Sequence, residues 1–282
     1  MIKRNILKYS NMLPNNIKKI INPFQDFIIK NMDNIGFYNI RLPSGKSYLF
    51  YLDIKERTDF NMYINNNFEV SNSKLFIKKI KNKNTFFDIG GYRGYYSILA
   101  HQYMKKNAKI IAFEPVNKNY EYISRSVIIN NINNIKIEKL AISDKNRTQT
   151  MYLSSSESTH SLAKADKNFF MGDFKQLNKI KVKTSTLDKY IKDNKSEPDI
   201  LKIDVEGAEL NVLRGFKEYL NKRKPEMLLE VHERKFPAFK YSKKEFYNYI
   251  NSLGYNYRLI RNGELIEIPK NFEKKQYTIY LK

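Results

Sequence analysis

Residues 84–97, NTFFDIGGYRGYYS, combine a short apolar run with three of the chain's ten glycines. The run TFFDI (85–89) predicts a buried strand, because it is dense in large apolar residues and ends at a turn signal. Gly90, Gly91 and Gly94 would let the connecting turn approach a ligand closely and leave the amides of the next helix unobstructed. The stretch therefore predicts a strand, a ligand-binding turn and a helix.

The chain that follows repeats this pattern. Short apolar runs alternate with helix-length segments, which is typical of an α/β fold with a doubly wound, mostly parallel sheet. The candidate strands are TFFDI (85–89), KIIAFE (109–114), IKIEKLAI (135–142), DILKIDV (199–205), EMLLEV (226–231) and an antiparallel last strand, YTIYL (277–281). The candidate helices span residues 94–105, 117–131, 207–222 and 242–252. Between 144 and 198 the polar sequence predicts an irregular insertion.

The segment before the sheet has a different pattern. Apolar residues at helical spacings within residues 1–33, interrupted by prolines, predict short helices. GFYNIRLPSGKSYLFYL (36–52) predicts a β-hairpin, and KLFIKKIKN predicts a short basic helix capped by Ser71 or Ser73.

These patterns divide the chain into an N-terminal extension of helices and a hairpin, 1–83, and an α/β domain, 84–282. The extension could be a substrate lid, a dimer surface, a membrane-surface contact or packing against the core.

The glycine spacing discriminates between ligands. A dinucleotide fingerprint needs glycines at positions i, i+2 and i+5, but from Gly90 the later two positions are Tyr92 and Tyr95. Glu114 ends the second strand and offers two acceptor oxygens to a ribose diol. Asp88 can orient the turn or bind an ammonium through water. A nucleoside cofactor without a pyrophosphate, such as S-adenosylmethionine, fits this arrangement.

Five segments carry a family resemblance: FFDIGGYRGYYS, IIAFEP, LAISD, DILKIDVEGAELNVLRG and PEMLLEVH. In this order and at these distances they resemble the FkbM-type family of S-adenosylmethionine-dependent O-methyltransferases, over roughly residues 85–232. The resemblance implies a class I (Rossmann-like) methyltransferase fold and methyl transfer to a hydroxyl. It also implies an acceptor that is often a sugar or a polyketide-like metabolite.

The resemblance also implies roles for individual residues. The cofactor-binding set that we expect is Asp88, Gly90, Gly91, Tyr92, Gly94, Tyr95, Glu114, Ala141, Ile142 and Asp204. In this set Asp88, Gly90 and Gly94 line the amino acid end, Glu114 binds the ribose, and Ala141 and Ile142 contact the adenine. The chain departs from the family at Gly91 and Tyr92, where relatives usually carry Ala and then Asn.

A second group of polar residues follows the fourth and fifth candidate strands. Asp204 and Glu206, and likewise Glu230 and His232, are two residues apart, so each pair is expected on one face of an extended strand end. Neighbouring strands would bring both pairs together as a catalytic group. Lys202 is expected on the same side as Asp204, in a salt bridge. His160 and Ser161, within SSSESTHSL (154–162), are weaker candidates for ligand contacts.

The chemistry of methyl transfer explains these residue types. An alcohol is a poor nucleophile unless a base takes its proton, which contributes about 10²- to 10⁴-fold. His232 suits that role, with Glu230 to orient it. Alternatively, Asp204, Glu206 and Glu230 could hold Mg²⁺, which would acidify the hydroxyl. We favour the version without a metal.

Composition limits the other functions. The formal charge of +22 would suit a nucleic acid, and an RNA methyltransferase is the main rival. However, base methyltransferases usually carry an Asp/Asn-Pro-Pro-aromatic motif where this chain reads Asp204-Val205-Glu206-Gly207, and carboxylates would repel phosphates. A non-catalytic cofactor-binding homologue and a nicotinamide oxidoreductase are further alternatives. We expect a small-molecule or glycan partner and no nucleic acid, with a homo-oligomer left open.

The chain has no cysteine and no apolar run of membrane-spanning length. Its basic start lacks a continuous apolar stretch and a cleavage site of the secretory type. We therefore expect a cytoplasmic protein.

Overall fold

The computed structural model describes residues 34–66, 68–164, 176–269 and 271–282. The strands are β1 Ile35–Arg41, β2 Ser47–Asp53, β3 Thr85–Ile89, β4 Lys109–Phe113, β5 Ile135–Glu138, β6 Ala141–Ile142, β7 Arg147–Ser154, β8 Gln176–Ser185, β9 Ile200–Ile203, β10 Glu226–His232, β11 Tyr257–Arg261, β12 Glu264–Ile266 and β13 Gln276–Leu281. The helices are α1 Arg57–Asn65, α2 Val70–Ile80, α3 Tyr95–Tyr103, α4 Asn117–Ile129, α5 Leu187–Asn194, α6 Glu209–Arg214, α7 Lys217–Lys222 and α8 Lys243–Ser252, with a 3₁₀ helix at Glu233–Phe239.

The main sheet has eight strands in the order β12-β11-β13-β10-β9-β3-β4-β5. The five strands from β10 to β5 are parallel, and β13, β11 and β12 add antiparallel pairs at one edge. The predicted doubly wound α/β fold with an antiparallel last strand is confirmed. The chain moves outward from β3 to β5 and returns to the other side of β3 at β9, so the strand order reverses between β3 and β9.

The central strands are buried on both faces, which explains their continuous apolar runs. Neighbouring residues of one strand enter opposite cores: Phe86 packs with the hairpin, α2 and α3, whereas Phe87 packs with α5 and α6. Both side chains are fully buried.

The predicted hairpin is present as β1 and β2, joined by a turn at Pro43–Lys46. It lies against α4, where the Tyr51 amide donates to Ser126 Oγ at 2.9 Å. Phe50 and Leu52 of β2 belong to the same core as Phe86. The hairpin is therefore packed against the α/β domain.

The predicted irregular region 144–198 is wrong, because β7, β8 and α5 lie within it. β7 and β8 pair antiparallel and form a second, three-stranded sheet with β6. IKIEKLAI is likewise not one strand: a turn in which the Leu140 amide donates to the Glu138 carbonyl sends β5 and β6 into different sheets.

Two predicted helices also change. The segment 207–222 is divided into α6 and α7 at Gly215, where a Cβ would lie 2.1 Å from the Ser143 carbonyl oxygen. α2 begins after Glu69, so neither Ser71 nor Ser73 is its N-cap. The helices predicted within 1–33 lie outside the described residues. Within the described ranges, no helix has both the length and the apolar character that crossing a bilayer requires.

Candidate active site

A cavity of about 1180 Å³ opens at the carboxyl ends of β3, β4, β9 and β10, where the strand order reverses. Most of the predicted site residues line it: Asp88, Gly90, Gly91, Tyr92, Tyr95, Glu114, Ala141, Ile142, Asp204, Glu206 and Glu230. Gly94 and His232 lie outside the wall that the described residues form.

The glycine turn is fixed by backbone contacts. The amides of Gly90 and Gly91 both donate to the Phe113 carbonyl, at 3.0 and 3.1 Å. Gly90 has a φ of +84°, and a Cβ there would lie 1.9 Å from the carbonyl oxygen of Asp204. Gly94 acts through packing, since a Cβ would lie 2.9 Å from Ile123 Cγ2. Only glycine fits between β3 and β9 at Gly90.

Glu114 is held in place by the backbone on both sides. One carboxylate oxygen accepts from the Tyr92 amide at 3.0 Å and the other from the Val116 amide at 2.9 Å. Burial raises the pKa of Glu114 to about 7, against the lowering effect of these hydrogen bonds. An ionised carboxylate has about four lone-pair sites, so these two amides leave Glu114 able to accept from a further donor.

Tyr92 of the glycine turn reaches the N-terminal extension. Its φ is +49°, and its hydroxyl donates to Asp59 Oδ1 of α1 at 2.8 Å. Its ring lies 4.4 Å from the guanidinium of Arg93. Tyr92 therefore links the cofactor turn to α1.

Arg93 is fully buried and joins four parts of the chain. Its Nε donates to Asp59 at 2.8 Å, Nη1 to Asn119 at 2.6 Å and Nη2 to Glu157 at 2.6 Å. The guanidinium also lies 4.2 Å from the Tyr122 ring. These contacts tie the turn to α1, to α4 and to the segment after β7.

The structure fits S-adenosylmethionine. Glu114 has a carboxylate that would accept from a ribose diol, and the cavity has apolar residues that would contact an adenine: Phe113, Val116, Leu140, Ala141, Ile142 and Met151. Asp88 faces the opposite end of the turn, although its carboxylate also accepts from Ser97 Oγ at 2.6 Å. Burial raises the pKa of Asp88, and Lys202 lowers it in part.

Lys202 and Asp204 form the predicted salt bridge, with Lys202 Nζ 2.9 Å from Asp204 Oδ2. Burial acts to raise the pKa of Asp204, but the charges of Lys202 and His232, together with hydrogen bonds to the carboxylate, outweigh burial and hold the pKa below its usual value. Asp204 is therefore ionised on the cavity wall.

Glu230 is the second carboxyl group of this wall. It accepts from Gln276 Nε2 at 2.7 Å. Burial, followed by the charges of Asp204 and Glu69, raises its pKa well above the usual value. Glu69 comes from the N-terminal extension and is held by the Tyr96 hydroxyl at 2.7 Å.

Glu206 joins the carboxyl groups of the cavity wall from a turn that follows β9. The prediction that Asp204 and Glu206 share a face of an extended strand is wrong, because β9 ends at Ile203 and Glu206 has a φ of +56°. The Glu206 carboxylate pairs with Lys235. Its carbonyl accepts from Ser161 Oγ at 2.9 Å.

His232 lies behind these carboxylates and is 3% exposed. Its Nδ1 is 2.9 Å from Glu209 Oε1. Its Nε2 lies 3.6 Å from Glu206, 3.8 Å from Glu230 and 3.9 Å from Asp204. Burial alone would lower the pKa of His232, but Glu206, Glu209 and Glu230 outweigh burial and raise the pKa to about 10.

His160 lines the cavity from the segment after β7. Its Nδ1 accepts from the Ser154 amide at 3.0 Å, and burial lowers its pKa to about 4. The imidazole is therefore neutral at pH 7, with a proton on Nε2.

The predicted Mg²⁺ ligands are divided between two groups. Among the described residues, potential ligand atoms of Asp204, Glu206 and His232 lie within 4.8 Å of one another, as do those of Glu69, Asp204 and Glu230. Sequence reasoning missed Glu69 and Arg93, and no local motif marks either residue.

Comparison with known proteins agrees with the sequence pattern. The family model described as the methyltransferase FkbM domain matches residues 88–257. Methyltransferase 1 of Beauveria bassiana (strain ARSEF 2860) is 25% identical over 183 residues, which are 56% of this chain and 72% of that protein.

Two solved structures are also similar. The methyltransferase FkbM of Methylobacillus flagellatus KT is 16% identical with a TM-score of 0.44, over 72% of this chain and 44% of that one. This chain thus spans less than half of the length of that protein. An O-methyltransferase from Bacillus cereus is 10% identical with a TM-score of 0.44, over 76% of this chain and 81% of that one.

Proposed function

Because this chain belongs to the FkbM family of S-adenosylmethionine-dependent methyltransferases, we propose that it methylates a hydroxyl group of a sugar, a glycan or a related metabolite. The observation that carries this proposal is the set of carboxyl groups on the cavity wall beside the glycine turn: Glu69, Asp204, Glu206 and Glu230.

The cofactor would be held by the residues around the turn. Glu114 would accept from the ribose hydroxyls, Ala141 and Ile142 would contact the adenine, and Asp88 and Asp204 would attract the amino acid end. S-adenosylmethionine supplies an electrophilic methyl group on a sulfonium centre.

A polyhydroxylated acceptor suits the rest of the wall. Carboxylates accept hydrogen bonds from hydroxyls, and Asn72, Thr278 and His160 add further polar groups to the lining. The same carboxylates would repel the phosphates of a nucleic acid. The partner we propose is therefore a small molecule or glycan with a free hydroxyl.

Glu230 is the group that we assign as the general base. Asp204 and Glu206 each have a lysine partner, whereas Glu230 has no lysine or arginine within salt-bridge distance in the described part of the chain. It lines the cavity, whereas His232 lies behind the wall. In its ionised form Glu230 would take the proton of the acceptor hydroxyl, and its raised pKa makes that carboxylate a stronger base. His232 would position the carboxylates.

The test is a screen of nucleotide sugars and glycan extracts with methyl-labelled cofactor. We expect the label in an ether that survives mild alkali, which removes methyl esters. We expect Glu230→Gln to lower kcat by about 10²- to 10⁴-fold with cofactor affinity unchanged. Glu264→Gln, an exposed glutamate of β12, is the matched control. Label in RNA, or full activity of Glu230→Gln, would contradict the proposal.

A further inference from the structure

His232 Nε2 is a buried polar atom without a hydrogen-bond partner among the described residues. Three carboxylate oxygens surround it at 3.6–3.9 Å, too far for hydrogen bonds. An imidazole side chain that is only 3% exposed, and whose Nε2 faces three carboxylates at this distance, indicates a missing partner between them.

Two of these carboxylates divide their oxygens in the same way. Asp204 turns Oδ2 to Lys202 and Oδ1 to His232. Glu206 turns Oε2 to Lys235 and Oε1 to His232. The lysines therefore fix both carboxylates while leaving one oxygen of each directed at Nε2.

Glu209 fixes the imidazole from the opposite side. Its Oε1 lies 2.9 Å from His232 Nδ1 and also accepts from the Gly207 amide at 2.9 Å. Once Nε2 loses its proton to a bound ion, with Nδ1 still donating to Glu209, the lone pair of Nε2 points toward Asp204 and Glu206. Metal-binding histidines usually have such a carboxylate behind them.

The charge balance at this point also favours a cation. Four carboxyl groups, those of Asp204, Glu206, Glu209 and Glu230, approach His232, against the ammonium groups of Lys202 and Lys235. Without an ion these carboxylates raise the pKa of His232 to about 10, so the imidazolium offsets part of their charge. A bound divalent ion would displace the Nε2 proton and take over that role.

We propose that His232 Nε2, Asp204 Oδ1 and Glu206 Oε1 bind a divalent cation of the Mn²⁺ type. One imidazole with carboxylates is a donor set that suits such an ion. Ligand bonds of roughly 2.1 Å place neighbouring donor atoms about 3.0–3.4 Å apart, so small side-chain rotations close the site. The ion's role rests on the proposed function: it would bind the acceptor hydroxyl and ease transfer of its proton to Glu230.

The test is Mn²⁺ binding by the full-length chain, treated with chelator and free of any affinity tag. Electron paramagnetic resonance of free Mn²⁺ and calorimetry would measure it without cofactor or acceptor. We expect one saturable equivalent of Mn²⁺ per chain. His232→Gln should lower the affinity for Mn²⁺ more than tenfold, and Glu209→Gln should lower it about 10- to 100-fold.

His101→Gln is the matched control, because His101 bonds Asn134 far from the cavity, and it should bind Mn²⁺ as the wild type does. Thermal melting and S-adenosylmethionine affinity show whether each variant is folded. A wild type that binds cofactor but no Mn²⁺ would overturn the inference while leaving methyl transfer intact. A folded His232→Gln variant with wild-type Mn²⁺ affinity would also overturn it.

Discussion

Lowering the pH from about 8 to about 5.5 should weaken S-adenosylmethionine binding about 30-fold, because a protonated Glu114 loses one of the two acceptor oxygens offered to the ribose. The magnitude follows from its pKa of about 7. If only the ionised form binds, affinity is nearly constant above pH 7 and falls about tenfold per unit well below it.

The same carboxyl group should affect stability without cofactor. Because its pKa is raised from 4.5 to about 7, the folded state holds this proton more tightly than the unfolded chain. The contribution of Glu114 to the free energy of unfolding is therefore largest below pH 4.5. It falls as the pH rises through 7, by about 3 kcal/mol in total.

Calorimetry across this pH range, and thermal or urea unfolding, would measure both effects. Glu114→Gln should bind cofactor weakly with little pH dependence and should lack the Glu114 part of the stability change. Glu121→Gln, an exposed glutamate of α4, is the control. Equal affinity of the wild type at both ends of the range, or the same pH slope in Glu114→Gln, would refute the reasoning.

Three further predictions concern the turn and its surroundings. Gly90→Ala should destabilise the protein by about 2 kcal/mol or more in urea unfolding and abolish cofactor binding, since its Cβ would meet Asp204, whereas Gly36→Ala has nothing within 4 Å and should stay within about 0.5 kcal/mol. Arg93→Met should cost about 3–5 kcal/mol in the same assay, because Asp59 stays buried without its guanidinium; a smaller loss would mean that Asp59 finds another partner. His160 should stay neutral from about pH 5.5 to 8, so its imidazole resonances in NMR should not move over this range; a midpoint near 6.5 would contradict its burial.

The sequence predicted the elements whose burial is uniform. β3 and β10 are apolar runs because both faces of the sheet are covered. Burial of this kind is visible locally, because it places apolar residues next to one another in the chain. The sequence analysis missed β7 because six of its eight residues are partly buried or exposed, and because its lysine-rich partner β8 has the composition of a polar loop. Its partner β8 begins only at Gln176, and no local sequence pattern encodes so distant a pairing.

The residues of the candidate site likewise fall into those that a local pattern predicts and those that depend on long-range packing. Glu114 and Asp204 follow strands directly, so a sheet of known direction locates them. Glu69 depends on how the extension packs, and Arg93 depends on Asp59, 34 residues earlier. A basic residue in a turn is usually solvated, so sequence alone gives no reason to bury Arg93.

The buried Arg93 network limits how this protein can be shortened. A fragment beginning at residue 84 would keep all the parallel strands and the glycine turn, yet it would leave a guanidinium without Asp59 and a tyrosine hydroxyl without its acceptor. Residue 84 marks a change in sequence pattern, not a place to divide the chain. By linkage, docking of α1 and occupancy of the cofactor turn should favour each other. Removing the extension should therefore lower the affinity for the cofactor.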